Sequence, residues 1–211
     1  MIERGRHWPG WRAVVLAAVG GLLLGGVTLV LQGLLPGSWN QLANSGAVWS
    51  AGAFAAGGCL SVTARRAAIV GLATLLGADV GYYASTTVFL HQDLSAAALR
   101  GPVIWAVVAL VAGPLFGLAG CWYGGDRPRR RLAAICLLSA VFVAEGLYLL
   151  VALHYRGAAA IMIAVGLAAA LLLARSARER LRALLVLVPV GLLGVAAYLL
   201  LGQLVSAAFL A

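Results

Sequence analysis

Seven uninterrupted apolar runs, each near 20 residues long, constrain this chain more than any other feature. They cover roughly residues 13–35, 46–64, 67–90, 102–124, 132–153, 157–174 and 184–207. A run of that length matches a helix crossing a bilayer, which needs about 20 apolar residues at 1.5 Å each. Strands of a membrane barrel would instead alternate apolar and polar residues. Lipid offers no partner to an open backbone amide, so continuous runs imply helices that satisfy their own hydrogen bonds. Composition agrees: 64% of the 211 residues are hydrophobic and 10% are charged, with a mean hydropathy of +1.03. A water-soluble fold of this size has too little interior to hide so much apolar surface. The expectation is an all-α integral membrane bundle of seven transmembrane helices forming one transmembrane domain over residues 1–211.

The formal charge of +9 raises the question of nucleic acid. All fifteen cations are Arg, and they sit between the apolar runs rather than on one face of a soluble domain. Counted on alternate sides of the seven runs, thirteen fall together. These are Arg4, Arg6 and Arg12; Arg65 and Arg66; Arg127 and Arg129 to Arg131; and Arg175, Arg178, Arg180 and Arg182. Only Arg100 and Arg156 fall on the other side. Such an asymmetry is a topology signal. It puts the amino terminus in the cytoplasm, the carboxyl terminus outside, and a belt of Arg against anionic lipid headgroups. It argues against a nucleic-acid partner. The lack of Lys, with abundant Ala and Gly, fits a GC-rich bacterial genome and hence the bacterial cytoplasmic membrane. The first run is too long for a signal peptide's apolar region and reads as an uncleaved anchor. Cys59, Cys121 and Cys136 lie scattered within apolar runs without a C-x-x-C spacing, which points to packing rather than disulfide or metal chemistry.

The runs carry an internal echo. Trp49, Ala53 and Gly57 recur as Trp105, Ala109 and Gly113 at a constant offset of 56. Asp79-x-x-Tyr82 recurs as Glu145-x-x-Tyr148 at an offset of 66. Tyr198 follows Arg182 by sixteen residues, as Tyr82 follows Arg66. The pattern reads as one leading helix followed by three helical hairpins, parallel repeats of which the third is degenerate. Repeats of this kind hold ligand sites at their interface near the midplane.

Asp79 and Glu145 are the two acids deep inside runs. A carboxyl facing lipid costs several kcal/mol (about 2.5 or more), so both should face the bundle interior. There each should be hydrogen-bonded by the Tyr three residues on, Tyr82 or Tyr148. The functional reading is a polar or proton-coupled site lined by both; the bland one is interhelical glue. A second cluster, Gln32, Asn44 and Trp49, brackets the first outer loop. Pro36 ends the first run, Asn44 or Ser45 caps the second, and the free amides at that helix start suit an acceptor. His91, Asp93 and His154 fall at outer ends of runs and are weak candidates for a metal site. The ridges Ala13, Ala17, Gly21, Gly25 and Ala109, Gly113, Gly117 suit close helix packing, inside the bundle or against a partner membrane subunit. No cofactor is indicated.

The motifs Leu42-Ala43-Asn44-Ser45-Gly46-Ala47-x-Trp49, Gly81-Tyr82-Tyr83 and Gly113-Pro114-x-x-Gly117-x-x-Gly120-x-Trp122 resemble a family of uncharacterised actinobacterial membrane proteins. The resemblance spans roughly residues 20–125 and implies a multi-span protein with no known activity. A looser similarity is to the substrate-binding components of energy-coupling-factor vitamin transporters, which are built on six spans. No Ser/His/Asp, C-x-x-C or Asp-rich diphosphate motif supports an enzyme. The leading expectation is binding or transport of a small-molecule ligand through a polar site in the outer half. A non-catalytic accessory subunit and a membrane-embedded enzyme on a lipid or isoprenoid are the alternatives.

Overall fold

The computed structural model describes residues 9–61, 63–93, 95 and 98–210, without the side chains at 204 and 208–210. Arg4 and Arg6 therefore lie outside the described residues. All regular structure among the described residues is helical: α1 (Gly10–Leu34), α2 (Ser38–Ala43), α3 (Gly46–Leu60), α4 (Ala64–Leu90), α5 (Arg100–Tyr123), α6 (Pro128–Val151), α7 (Arg156–Leu173) and α8 (Ala177–Leu210). Six of these are long and apolar enough to cross a membrane, and the chain is a multi-pass membrane protein. Local chemistry sets their starts. Thr63 Oγ1 accepts from the Arg66 amide at 3.3 Å, and Pro128 opens α6 at a position whose amide has no helical acceptor.

The second expected run departs from its neighbours. It forms a helix of 15 residues, about 22 Å long, where a full crossing needs about 30 Å. Yet the chain must return across the bundle along it, because α1 and α4 run parallel. Gly21 packs on Thr74 and Gly25 on Ala78, in rising order along both helices. The missing length is made up at the loop. The unexpected α2 contacts α1 and α7, and Ser38 lies against Gly157 at the start of α7. The chain then drops into the bundle, so α3 starts below the surface.

Small residues set the tight core. A Cβ at Gly21 or Gly25 would collide with a carbonyl oxygen of α4, and one at Gly77 or Gly81 with a carbonyl oxygen of α1. Gly113 and Gly117 meet Gly71 of α4, and Gly57 meets Gly117. Both ridges singled out in the sequence thus pack inside the bundle. Side chains at Leu23, Val27, Val111 and Leu172 point out from the bundle, as lipid-facing residues should.

Candidate functional site

The end of the bundle that carries α2 holds the two buried acids of the interior and several buried hydroxyls. Asp79 on α4 and Glu145 on α6 both face inward, at 5% and 7% exposure. Their surroundings then diverge.

Glu145 caps the sunken start of α3. Its Oε2 accepts from the Ala47 amide at 2.7 Å, from Tyr198 Oη at 2.8 Å and from Ser45 Oγ at 3.0 Å. Ser45 is also the N-cap of α3, its Oγ accepting from the Val48 amide at 3.1 Å. Having taken that proton donor, the hydroxyl is oriented to donate onward to Glu145. The first turn of a helix leaves amides without partners, and its dipole favours a carboxylate. Sunk among the helices, that turn takes its acceptor from α6. The acceptor spot expected at this helix start is therefore filled by the protein itself. The phenol that binds Glu145 is Tyr198 from α8, not Tyr148 one turn along α6. Tyr148 instead stacks on Tyr198, with ring centroids 5.7 Å apart.

Asp79 has no such set. Its Oδ1 is buried without a hydrogen-bond partner among the described residues. Tyr82 does not bond it; the Tyr82 hydroxyl is reached by the side chain of Gln32 on α1. Gln32 Oε1 is itself buried without a partner, while its backbone carbonyl accepts from Asn40 Nδ2. Asp79, Tyr82, Tyr83 and Thr86 follow on one face of α4, so the carboxyl lies one turn below the two tyrosines.

Above that turn is a chamber of about 230 Å³. Its walls include Trp49, Tyr82, Tyr83, Thr86 and Trp105, with Asn44 at the side of the loop. Trp49 meets Tyr82 edge to face at 6.0 Å, and Tyr82 meets Tyr83 likewise at 5.2 Å. Trp49 is held in place by its Nε1, which donates to Thr28 Oγ1 at 3.1 Å. Thr28 in turn donates to the Leu24 carbonyl. Ser45 and Gly46 form the partition between the chamber and the Glu145 cluster. Thus Asn44, Trp49 and Tyr82 come together in one cavity, Gln32 touches it through Tyr82, and Glu145 and Tyr148 lie behind its wall. Neither acid lines the chamber: Asp79 lies one turn below Tyr82 and Tyr83, and Glu145 lies behind Ser45 and Gly46. Trp105, Tyr83, Ser45 and Tyr198 belong to the arrangement and were not among the expected site residues. The Trp49–Trp105 offset was the signal for Trp105, and the Arg182 spacing for Tyr198.

The histidines have a backbone explanation. His91 and His154 take left-handed conformations, with φ of 51° and 61°, just past the ends of α4 and α6. The amide after each reaches back to a carbonyl of the last turn, Gln92 to Thr86 and Tyr155 to Leu149. Asp93 accepts from Ser95 Oγ at 3.0 Å. Among the described residues no group of three or more His, Cys, Asp or Glu can hold a metal, so His91, Asp93 and His154 do not converge.

At the opposite end, Arg131 pairs with Glu179 through Nε at 3.0 Å and Nη2 at 3.3 Å. Glu179 Oε2 also accepts the Arg175 amide, which fastens α6 to the start of α8.

Over residues 4–204 the sequence matches a family described as a family of unknown function (DUF6518). No curated protein and no solved structure matches the chain.

Proposed function

The chain belongs to this family of unknown function, and we propose that it binds a small molecule, for uptake or passage across the bacterial cytoplasmic membrane, in the chamber at its α2 end. One observation carries the reading: a 230 Å³ space walled by Trp49, Tyr82, Tyr83 and Trp105 lies one turn along α4 from a buried carboxyl, Asp79, whose Oδ1 has no hydrogen-bond partner among the described residues. Close-packed interiors rarely leave such a space, and a buried unpaired polar atom in a native protein calls for an explanation. Ligand sites likewise combine aromatic walls with a small number of placed polar groups, here Asn44, Thr86 and Gln92. A shortened helix starting inside the bundle beside the site is also how membrane transporters build theirs. The thirteen-to-two split of Arg orients the chamber toward the outside of the cell. The accessory-subunit alternative loses its expected contact, since the small-residue ridges pack internally.

Access to the chamber is the test. Thr86 is 5% exposed and lies in the chamber wall. Thr86→Cys, in a background without Cys59, Cys121 and Cys136, should react with a small membrane-impermeant thiol reagent added to intact cells. Inertness of Thr86→Cys, with Ser95→Cys on the same cells reacting, would overturn the reading.

A further inference from the structure

A second cavity, of about 600 Å³, lies between α1 and α4 and touches the chamber through a shared wall. The wall is Tyr82, which lines both. On the far side the cavity is apolar, bounded by Leu29, Val30, Leu34, Phe89 and Leu90. Of these Val30, Leu34, Phe89 and Leu90 are more than half exposed, so the cleft opens sideways toward lipid rather than toward water. Gln32 stands at the junction, with its amide on the Tyr82 hydroxyl and its Oε1 buried without a partner. Tyr82 is held there by Gln32 and by its edge contacts with Trp49 and Tyr83, so joining the two spaces takes a rotation of that one side chain.

We infer that the ligand is an amphiphile with a cationic head, admitted from the bilayer through the α1–α4 cleft, its apolar tail in the cleft and its head in the aromatic chamber above Asp79. The inference rests on the chamber being a binding site. The head chemistry follows from what the chamber offers. Faces of Trp and Tyr attract a cation, and a desolvated cation gains most from them. One turn below the chamber wall on α4, outside the lining itself, Asp79 adds the negative charge its carboxylate would place beneath the cation. The other interior acid, Glu145, lies behind the chamber wall with its Oε2 already taking three protein donors. The tail chemistry follows from a cleft whose only polar side chains among the described residues are Gln32 and Tyr82. The two spaces lie on opposite sides of a single side chain, Tyr82, and that adjacency ties head to tail.

The test uses the full chain in nanodiscs of zwitterionic lipid, with saturable binding measured above that of empty discs. The probes are octyltrimethylammonium, tetramethylammonium, octyl sulfate and octanol. Octyltrimethylammonium should bind at least tenfold tighter than tetramethylammonium, and neither octyl sulfate nor octanol should displace it at equal concentration. Gly33 borders the cleft and has open space where a side chain would go. Gly33→Phe should therefore fill the cleft without disturbing the fold. It should weaken octyltrimethylammonium at least tenfold and leave tetramethylammonium within twofold. Asp79→Asn should weaken both cations at least tenfold with an unchanged unfolding midpoint. Should that variant not fold, the comparison of octyl sulfate with octyltrimethylammonium on the native chain decides the head charge. Equal affinity for the two cations, with no response to Gly33→Phe, would overturn lateral admission while leaving the chamber as a binding site. Displacement by octyl sulfate would overturn the cationic head. Absence of saturable binding by either cation would overturn the inference as a whole, and Thr86→Cys labelling reports separately on the chamber.

Discussion

Replacing Glu145 by Ala isolates the energetics of the sunken helix start. The substitution removes one acceptor and strands three donors: the Ala47 amide, Ser45 Oγ and Tyr198 Oη. Interhelical hydrogen bonds in membranes are worth about 0.6 kcal/mol on average and about 1.7 at most. Three of them sum to about 2–5 kcal/mol, with the upper half favoured because the site is buried and the amide has no other outlet. For a chain of this size each kcal/mol moves the midpoint by about 2–4 °C, so Glu145→Ala should unfold about 4–20 °C earlier. Glu145→Gln keeps a carbonyl that can occupy the Oε2 position and should recover most of the loss. Tyr198→Phe alone should cost about 0.6–1.7 kcal/mol, and close to nothing when Glu145 is already Ala. The assay is thermal unfolding in a single detergent, followed by helical circular dichroism. A Glu145→Ala protein within 0.5 °C of the native one would refute the cap. So would a full Tyr198→Phe penalty in the Glu145→Ala background, because the tyrosine would then be acting through something else.

Asp79→Asn should shift the unfolding midpoint far less than Glu145→Ala, since no protein donor loses its acceptor; a shift as large as that of Glu145→Ala would show that Asp79 has partners the geometry lacks. Gly25→Ala drives a methyl into the Ala78 carbonyl and should destabilise by about 1–3 kcal/mol, whereas Gly20→Ala on the same helix meets open space and should be neutral or slightly stabilising. Equal effects in thermal unfolding would contradict the α1–α4 packing. For sidedness, Ser95→Cys should label on intact cells with an impermeant maleimide and Ser176→Cys only after lysis; the reverse pattern would invert the orientation. Gly37→Cys is a poorer probe of the same end, because φ at Gly37 is +53° and a side chain strains it.

Much was legible in the chain alone, and for one reason. Lipid as solvent forces each backbone segment to satisfy itself, so run length and Arg placement report helices and a proposed sidedness without any knowledge of their neighbours. The inward direction of Asp79 and Glu145 followed from the same cost of exposing a carboxyl to lipid. The Ser45 cap was local, resolved within three residues. What the tertiary structure decided is everything that depends on which helices meet. Glu145 and Ser45 lie 100 positions apart, and only packing brings the carboxyl to the start of α3 rather than to Tyr148 beside it. Tyr82 looked like a partner for Asp79 by spacing, but α1 places Gln32 within its reach instead. Trp49 and Trp105 share a chamber because α3, α4 and α5 pack together through glycines that a repeat pattern cannot assign to partners. The shortened α3 escaped the sequence too. Its run is as apolar as the others, and the chain can let a helix start inside the bundle only because another helix supplies the acceptor its first turn lacks.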